Sequence, residues 1–487
     1  MDHPKPQHDD APTPETVLRR AFDPELFRTL GHRLIDQLAS HLDCALHDSR
    51  MPVLPWVDPE VMANTWPPDF PERGNENLNA LLGRVLDAAN HLHHPAYMGH
   101  QVPGPLPAAA LCDLVASFLN NSTTVYEMGA SGAGMERSVV RWMAATLGFG
   151  PQAGGVLTSG GSVGNLTGLL AARELHAAKC RRKPPALLVS DQAHYSILRA
   201  VRVMGWGAAG VETVPSDPRY RLPAEALEEH QHRAEARGRT IIGVVASACS
   251  TATGAYDPLP AIADFCEAKG LWLHVDAAHG GAASLSDKYR HLIDGIQRAD
   301  SVVWDAHKML LMPALVSGVI YKRGQDAYRA FEDEASYLYE RTPEEEWYNY
   351  GHRTIECTKP MNCIKAYAML HCYGTRLFGD YVTATYDLAR RFAAMLREAP
   401  GFHSATAPES NIVCFRYIPD GAGDLDLLQA AIRRRLLADG NHYIVQTHLP
   451  AGLHLRTTLI NPFTRENHLA ALIGAVREAG DAIQRQG

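Results

Sequence analysis

The chain has 487 residues, of which 46% are hydrophobic and 21% are charged, and this composition excludes general disorder. Lys+Arg 46 against Asp+Glu 54 gives a net charge of −8, which argues against a nucleic acid or an anionic membrane surface as the main partner. Nine scattered cysteines without a CxxC pair are typical of a reducing compartment, so we expect a cytoplasmic protein without disulfides.

The first 95 residues predict an N-terminal helical arm. Residues 1–16 are polar and rich in proline, a composition that predicts disorder and lacks the apolar segment of a secretory signal. Apolar residues recur at helical spacing over Pro24–Leu46 and Leu78–Leu92, and the proline-broken segment Met51–Asn75 predicts an extended connection. Two helices are too little to form a core alone, so we expect their apolar faces to pack on the rest of the chain or on a second subunit.

Residues 96–372 predict a large α/β domain. Short apolar runs rich in β-branched residues alternate here with helical stretches, and no run approaches the ~18 apolar residues of a membrane span. The seven runs are Val156–Ser159, Leu187–Ser190, Val211–Val214, Ile241–Ala248, Leu271–Asp276, Ser301–Asp305 and Val316–Lys322. They predict a mainly parallel seven-stranded sheet covered on both faces, whose ligands bind beyond the carboxyl ends of the strands.

Residues 373–487 predict a small C-terminal α+β domain. Helical spacing is visible in Leu388–Leu396, in Asp426–Leu437 and from about Glu466 to the C-terminus. Ile412–Tyr417 and Leu453–Ile460 have the composition of strands. The two kinds of element together predict a compact unit packed on the larger domain.

A glycine-rich loop follows the first predicted strand. The sequence from Thr158 to Asn165 reads Thr-Ser-Gly-Gly-Ser-Val-Gly-Asn and leads into the helical stretch Leu166–Leu175. Glycines let the backbone approach an anion, and the first amides of a helix carry partial positive charge, so this loop can hold a phosphate. A tight turn with serine as the helix cap is the equally good structural alternative, and no lysine follows as in a Walker loop.

Two further strand ends carry charged residues. The first is Asp276, which ends an apolar strand and needs a cationic or hydrogen-bonding partner if it is not simply a helix cap. The second is Lys308, between an apolar strand and the apolar run Met309–Leu311. A lysine buried there can act as a nucleophile and form a Schiff base, whereas a surface lysine with only its stem buried is the alternative. Pyridoxal 5'-phosphate needs all three features: a phosphate cradle, an acid at its ring nitrogen and a lysine for its aldehyde.

The chain resembles the group II pyridoxal-phosphate decarboxylases, which act on aromatic amino acids, glutamate, cysteine sulfinate or 2,4-diaminobutyrate. The resemblance covers nearly the whole chain and rests on the loop, the Asp276 motif and His307-Lys308. It implies the type I aminotransferase-like fold and a homodimer with the active site at the subunit interface. It also implies that the chain removes the α-carboxyl group of an L-amino acid as carbon dioxide and releases the amine.

The resemblance assigns roles residue by residue. It implies that Lys308 carries the cofactor, Asp276 pairs with the ring nitrogen, His194 stacks on the ring and Tyr337, in Ala335-Ser-Tyr-Leu338, returns a proton to the substrate. Arg456 is implied as the residue that binds a substrate carboxylate. The remaining implied cofactor contacts are Gly161 and Ser162 at the phosphate with Asn165 nearby, Thr251 beside the ring, Ala278 and His307.

Three positions depart from the family pattern. Relatives usually have Asn-Pro-His-Lys at the lysine, whereas this chain has Asp305-Ala-His-Lys, and we expect Asp305 to face away from the phosphate or to accept from a backbone donor. His279 stands where relatives commonly have Tyr or Trp, and Thr358-Lys359 stands where they have Gly-Arg or Arg-Arg. These changes leave the substrate open among acidic, basic and aromatic amino acids.

Other functions fit the sequence less well. An aldehyde synthase on the same fold is the nearest rival, but in the animal enzymes of that kind the tyrosine equivalent to Tyr337 is replaced. A catalytically inactive binding protein would have no need to retain Lys308, Asp276 and His194 together. An aminotransferase would share the lysine and the aspartate but not the His-Lys pair or the loop.

We expect no metal site. The chain has 24 histidines, and three of them cluster at His91, His93 and His94. This cluster has no cysteine partner, and Pro95 follows it directly, so the spacing is not typical of a zinc site.

Overall fold

The computed structural model describes residues 13–66, 69–72, 74, 77–181, 183–331 and 346–485. The α-helices in these ranges are α1 (Pro14–Ala21), α2 (Pro24–His47), α3 (Pro59–Thr65), α4 (Leu78–Asp87), α5 (Pro107–Leu119), α6 (Ala130–Thr146), α7 (Gly161–Leu175), α8 (Tyr195–Val203), α9 (Leu227–Ala236), α10 (Leu259–Lys269), α11 (Cys363–Glu398), α12 (Leu425–Asp439) and α13 (Glu466–Gln484). The strands are β1 (Gly154–Thr158), β2 (Pro185–Ser190), β3 (Val211–Val214), β4 (Thr240–Ser247), β5 (Trp272–Asp276), β6 (Ser301–Asp305), β7 (Ser317–Tyr321), β8 (Phe402–Ser404), β9 (Ile412–Tyr417), β10 (Val445–Leu449) and β11 (Gly452–Thr458).

Seven strands form the central sheet in the order β1-β7-β6-β5-β4-β2-β3. Strand β7 runs antiparallel to both of its neighbours, and the other pairs in the sheet are parallel. All seven strands were predicted from the sequence to within two residues at either end. Every residue of β5, β6 and β7 is buried, which explains why these strands are continuous apolar runs rather than alternating ones.

The second sheet is antiparallel, with four strands in the order β10-β11-β9-β8. The predicted strands correspond to β9 and β11, whereas β8 and β10 were not predicted. Helix α11 runs across the predicted domain boundary at 372/373 and has a kink at Gly374, where φ is +74°. One continuous cluster of buried apolar residues joins this sheet and its helices to the central sheet.

The N-terminal arm differs from its prediction in three places. Helix α1 begins at Pro14, and the Thr13 hydroxyl caps it by accepting from the Thr16 amide. The prediction of disorder up to residue 16 is therefore wrong for residues 13–16. Residues 1–12 lie outside the described residues. The proline-broken connection contains helix α3. Pro59 occupies the first turn of this helix, where the missing N–H of proline costs no hydrogen bond because the amides there have no partner within the helix. Helix α4 ends at Asp87, before the predicted end at Leu92.

Helices α2 and α5 present apolar side chains to solvent in the single chain. Phe27 packs on Phe118 with ring centroids 5.3 Å apart, yet their exposed fractions are 54% and 68%. Further exposed apolar residues on these helices are Ile35, Leu38, Leu111, Leu114, Val115 and Leu119. These exposed apolar residues are concentrated on two helices rather than scattered singly over the surface, and such a concentration is typical of a protein interface. In the ranges that the structure describes, no helix has the length and apolarity to span a membrane.

Candidate active site

A cavity of about 210 Å³ lies beyond the carboxyl ends of the central strands. The nine residues predicted as cofactor contacts all line it, and their roles at the cofactor stay predictions. The lining is Ser159, Gly160, Gly161, Ser162, Asn165, His194, Cys249, Thr251, Asp276, Ala278, His279, Asp305, His307, Lys308 and Leu315. The cavity therefore brings together side chains from loops that follow five different strands.

The loop between β1 and α7 forms one wall of the cavity. Gly160 has φ +110°, a conformation that residues with a Cβ rarely adopt, and α7 begins at the next residue. A Cβ on Gly161 would lie 2.9 Å from both carboxylate oxygens of Asp305, so only glycine fits there. The first amides of α7 have no partner within the helix and can donate to an anion in the cavity.

Asp276 ends β5 with its side chain in the cavity wall. Its Oδ2 accepts from Asn165 Nδ2 at 2.9 Å, and its Oδ1 accepts from the Ala278 amide at 3.1 Å. Asn165 also donates to Ser196 Oγ at 2.9 Å. The side-chain amide of Asn165 is therefore committed to the buried carboxylate and to Ser196, and its predicted placement near the phosphate stays a prediction.

Lys308 also lines the cavity. Its Nζ is 3.2 Å from Asp305 Oδ2, and the lysine side chain is 18% exposed whereas that of Asp305 is 2% exposed. Asp305 Oδ1 accepts from the Ser317 hydroxyl. The expectation that Asp305 faces away from the cradle is wrong, because this hydroxyl and the lysine supply the partners that hold the carboxylate next to Gly161.

His194 caps helix α8 and lines the cavity. Its Nδ1 is 2.8 Å from Ser196 Oγ and accepts from the Ser196 amide at 3.3 Å. Burial lowers the pKa of His194 and outweighs the opposing effect of Asp276, so its ring is neutral at neutral pH. His307 bonds through Nδ1 to the carbonyl of Val316 at 3.0 Å, which fixes the ring that precedes Lys308.

Two predicted site residues are not in the cavity wall. Arg456 is 7% exposed, donates to Thr458 Oγ1 at 3.2 Å, and has an Nε without a hydrogen-bond partner. No carboxylate among the described residues forms an ion pair with it, and burial lowers its pKa. The charge of Arg456 contributes to the low pKa of His279, after burial and the charge of Lys308. Tyr337 lies outside the described residues.

His279 and Lys359, two of the residues that depart from the family pattern, have different surroundings. His279 lines the cavity, bonds through Nε2 to Asn411 Oδ1 at 2.7 Å, and has a buried Nδ1 without a partner. Burial, with Lys308 nearby, lowers the pKa of His279 to about 3. Lys359 is buried in an ion pair with Glu136 and does not line the cavity, so it is not a candidate for contact with a ligand.

Sequence reasoning missed three residues at the site. Cys249 lines the cavity, and burial raises its pKa to about 12, so the thiol is protonated. His274 and Ser196 lie just behind the wall and are 0% and 1% exposed. His274 stands two residues before Asp276 on the same face of β5, and a polar residue at that spacing in a buried strand is the signal that could have found it.

Residues 59–418 match the family model of the pyridoxal-dependent decarboxylase conserved domain. The chain is 29% identical to an aromatic-L-amino-acid decarboxylase of Bacillus atrophaeus over 94% of this chain and 96% of that protein. It is 30% identical to the cysteine sulfinic acid decarboxylase of Homo sapiens over 84% of this chain and 87% of that protein.

The fold is also found among solved structures. The crystal structure of mouse CSAD superposes with a TM-score of 0.87 at 26% sequence identity, and the match covers 94% of this chain and 99% of that chain. Together with the observed sheets, this similarity confirms the predicted α/β fold class with a smaller second sheet.

Proposed function

The chain belongs to the pyridoxal-dependent decarboxylase family, whose members are pyridoxal-phosphate-dependent carboxy-lyases, and we propose that Lys308 is the residue that binds the cofactor covalently. The observation that carries this proposal is that Lys308 is the only lysine in the described wall of the cavity, which also holds the glycine loop and Asp276. The reaction we propose is the α-decarboxylation of an L-amino acid to its amine and carbon dioxide.

The residues around the cavity fit the three chemical features of the cofactor. Gly161 and Ser162 begin a helix, and their amides would bind the phosphate. Asp276 already accepts two N–H donors and has lone pairs left for a protonated ring nitrogen. Lys308 projects into the same cavity from the loop after β6. Asp305 beside the cradle is the one feature that opposes an anion, and the partners Ser317 and Lys308 offset part of its charge.

The chain's own side chains would divide the chemistry among them. When bound, pyridoxal phosphate accepts the electron pair that the departing carboxyl group leaves behind. Asp276 would keep a proton on the ring nitrogen, and the neutral ring of His194 would cover one face of the cofactor. Tyr337 would donate a proton from its hydroxyl to the α-carbon. Lys308 would then displace the amine product.

Arg456 is our candidate for the residue that binds a substrate carboxylate. A buried guanidinium without an anionic partner is costly, and a carboxylate can accept two parallel hydrogen bonds from it. Cys249 and His279, which line the cavity, influence the pKa of Arg456 and are influenced by it, respectively, so the guanidinium acts on this part of the cavity wall. The guanidinium does not distinguish an α-carboxylate from a side-chain carboxylate, so the proposal covers an L-amino acid without restriction to one side chain.

We also propose a cytoplasmic homodimer. The exposed apolar face of α2 and α5 supports a second copy as its occupant, because an isologous contact would cover the same apolar side chains on both subunits. Size-exclusion chromatography with light scattering would show twice the chain mass. A monomer at micromolar concentration would contradict the dimer without affecting the assignment of the reaction.

The experiment that tests the function is a substrate panel. The purified protein, loaded with pyridoxal phosphate, is incubated with the common L-amino acids, L-cysteine sulfinate and L-2,4-diaminobutyrate, while carbon dioxide and amine are measured. We expect at least one substrate to give equal amounts of both products, and Lys308→Ala to give neither. Carbon dioxide release that Lys308→Ala retains in full would refute the role of the lysine.

A further inference from the structure

We propose that a buried chain of hydrogen bonds behind the cavity orients the carboxylate of Asp276 and fixes which ring nitrogen of His194 carries the hydrogen, with His274 and Asn165 as positioning residues. This inference rests on the proposed function, in which Asp276 and His194 contact the cofactor. We call this chain the strand-end relay; it consists of Trp272, Ser301, His274, Asn165 and Ser196.

The direction of each bond follows from the carboxylate. An ionised Asp276 only accepts, so the Asn165 atom at 2.9 Å from Oδ2 must be the amide nitrogen. The amide oxygen of Asn165 then faces His274 Nε2 at 3.0 Å, which requires a hydrogen on that nitrogen. A neutral imidazole has only one hydrogen, so Nδ1 of His274 is an acceptor.

The far end of the relay agrees with this assignment. Ser301 Oγ lies 2.7 Å from His274 Nδ1 and donates its single hydrogen there. The indole N–H of Trp272 can only donate, and it donates at 2.9 Å to a lone pair of the same Ser301 oxygen. Burial lowers the pKa of His274 to about 4, in agreement with a neutral ring.

A branch of the relay reaches His194. The second hydrogen of the Asn165 amide is donated to Ser196 Oγ at 2.9 Å. The Ser196 hydroxyl hydrogen is then free for His194 Nδ1 at 2.8 Å, so the neutral ring of His194 carries its hydrogen on Nε2. The side-chain amide of Asn165 therefore orients both Asp276, which is expected at the ring nitrogen of the cofactor, and His194, which is expected on the face of that ring.

The relay has no room for an alternative arrangement. Trp272, Asn165 and Ser196 are each 1% exposed, and His274 and Ser301 are 0% exposed. A Cβ on Gly168 would lie 2.8 Å from the His274 ring, so helix α7 packs directly on it. Reversing one bond would leave two buried groups unpaired, which is unfavourable because neither group could bond to water instead.

The test compares variants that keep the shape of the side chain but change its hydrogen bonds. His274→Phe removes the donor to Asn165, and His274→Gln can both donate to Asn165 and accept from Ser301. Ser196→Ala removes only the branch to His194. His230→Gln is the matched control, because His230 is 6% exposed and bonds to Glu212 outside the relay.

Three readouts separate a positioning role from a structural one. They are the dissociation constant of pyridoxal phosphate from the apoenzyme, the pH dependence of the bound cofactor's absorbance, and kcat against KM. We expect His274→Phe to weaken cofactor binding about 2- to 10-fold, as for a lost hydrogen bond between neutral groups, and to shift the pH titration. We expect His274→Gln to recover most of both effects, Ser196→Ala to lower kcat with little change in cofactor affinity, and His230→Gln to change none of the three readouts.

Two outcomes would overturn the relay. The first is an unchanged dissociation constant and pH titration in His274→Phe. The second applies even if His274→Phe folds poorly: it is a His274→Gln or Ser196→Ala protein whose three readouts differ from those of the wild type no more than the readouts of His230→Gln do. Failure of the proposed function is distinguishable, because it would show as the absence of a covalent adduct at Lys308 in the wild-type protein.

Discussion

The buried ion pair between Lys359 and Glu136 gives a quantitative prediction about stability. Both side chains are 1% exposed, and Glu136 Oε1 also accepts from the Leu157 amide at 2.9 Å, in the strand just before the glycine loop. Replacing Lys359 with Met keeps most of the volume but leaves a buried carboxylate without its cation. Breaking such a pair costs about 3–5 kcal/mol, so Lys359→Met should lower the free energy of unfolding by that amount.

A second buried lysine supplies the matched control. Lys365 is also 1% exposed, but its partner Asp113, at 3.0 Å, is 33% exposed and is solvated once the lysine is gone. We therefore expect Lys365→Met to cost only about 1 kcal/mol. The double variant Glu136→Gln with Lys359→Met should recover most of the loss, because glutamine still accepts from Leu157 and carries no charge.

The assay is urea unfolding followed by circular dichroism, with thermal scans at one heating rate for the same set of variants. The expected order of stability is wild type, Lys365→Met and the double variant close together, and Lys359→Met well below them. Equal losses in Lys359→Met and Lys365→Met would refute the argument from burial. A double variant as unstable as Lys359→Met would refute the argument from the uncompensated charge.

Three further predictions concern the site and its titrating groups. Asp305→Asn removes a negative charge beside the cradle, so the apoenzyme should bind pyridoxal phosphate about tenfold more tightly, and an unchanged or weaker affinity by fluorescence titration would contradict the placement. Tyr337→Phe should shift the products from amine toward aldehyde and ammonia, and an unchanged product ratio would exclude the tyrosine as the proton donor. Burial lowers the pKa of His274 to about 4 and of His279 to about 3, so the unfolded state takes up these protons first and stability falls as pH drops from about 6.5 toward 4. Burial raises the pKa of Asp257 to about 7, so the folded state binds one proton there and gains stability as the pH falls. This single proton is outweighed by the two that His274 and His279 take up on unfolding. A melting temperature that rises between pH 6.5 and 5 would therefore contradict the assignment of both histidines as neutral.

The sequence predicted the central sheet and the position of the cavity because both follow from local patterns. Buried parallel strands are continuous apolar runs, and the residue that follows each run lies at the same edge of the sheet. Asp276 and Lys308 could therefore be placed in one cavity from their positions along the chain alone, whereas His194 was placed there by the family resemblance.

The errors concern partners that are distant in sequence. Asp305 is held in the cavity by Ser317, twelve residues away, and the sequence pattern did not indicate that the Asn165 amide bonds to Asp276. Lys359, which precedes α11, pairs with Glu136 of α6, so it is part of the core rather than of the site. Such contacts depend on how the elements pack, which a single sequence pattern does not encode.

The central claim is that Lys308 binds pyridoxal phosphate covalently, and borohydride reduction followed by peptide mapping tests it most directly. The purified protein is reduced with sodium borohydride, digested and analysed by mass spectrometry, with Lys322, an exposed lysine after β7, as an internal control. We expect the mass of a reduced pyridoxyl phosphate group on the peptide that contains Lys308, and on that peptide alone. An adduct on another lysine, or none in a protein that has been incubated with the cofactor, would contradict the account.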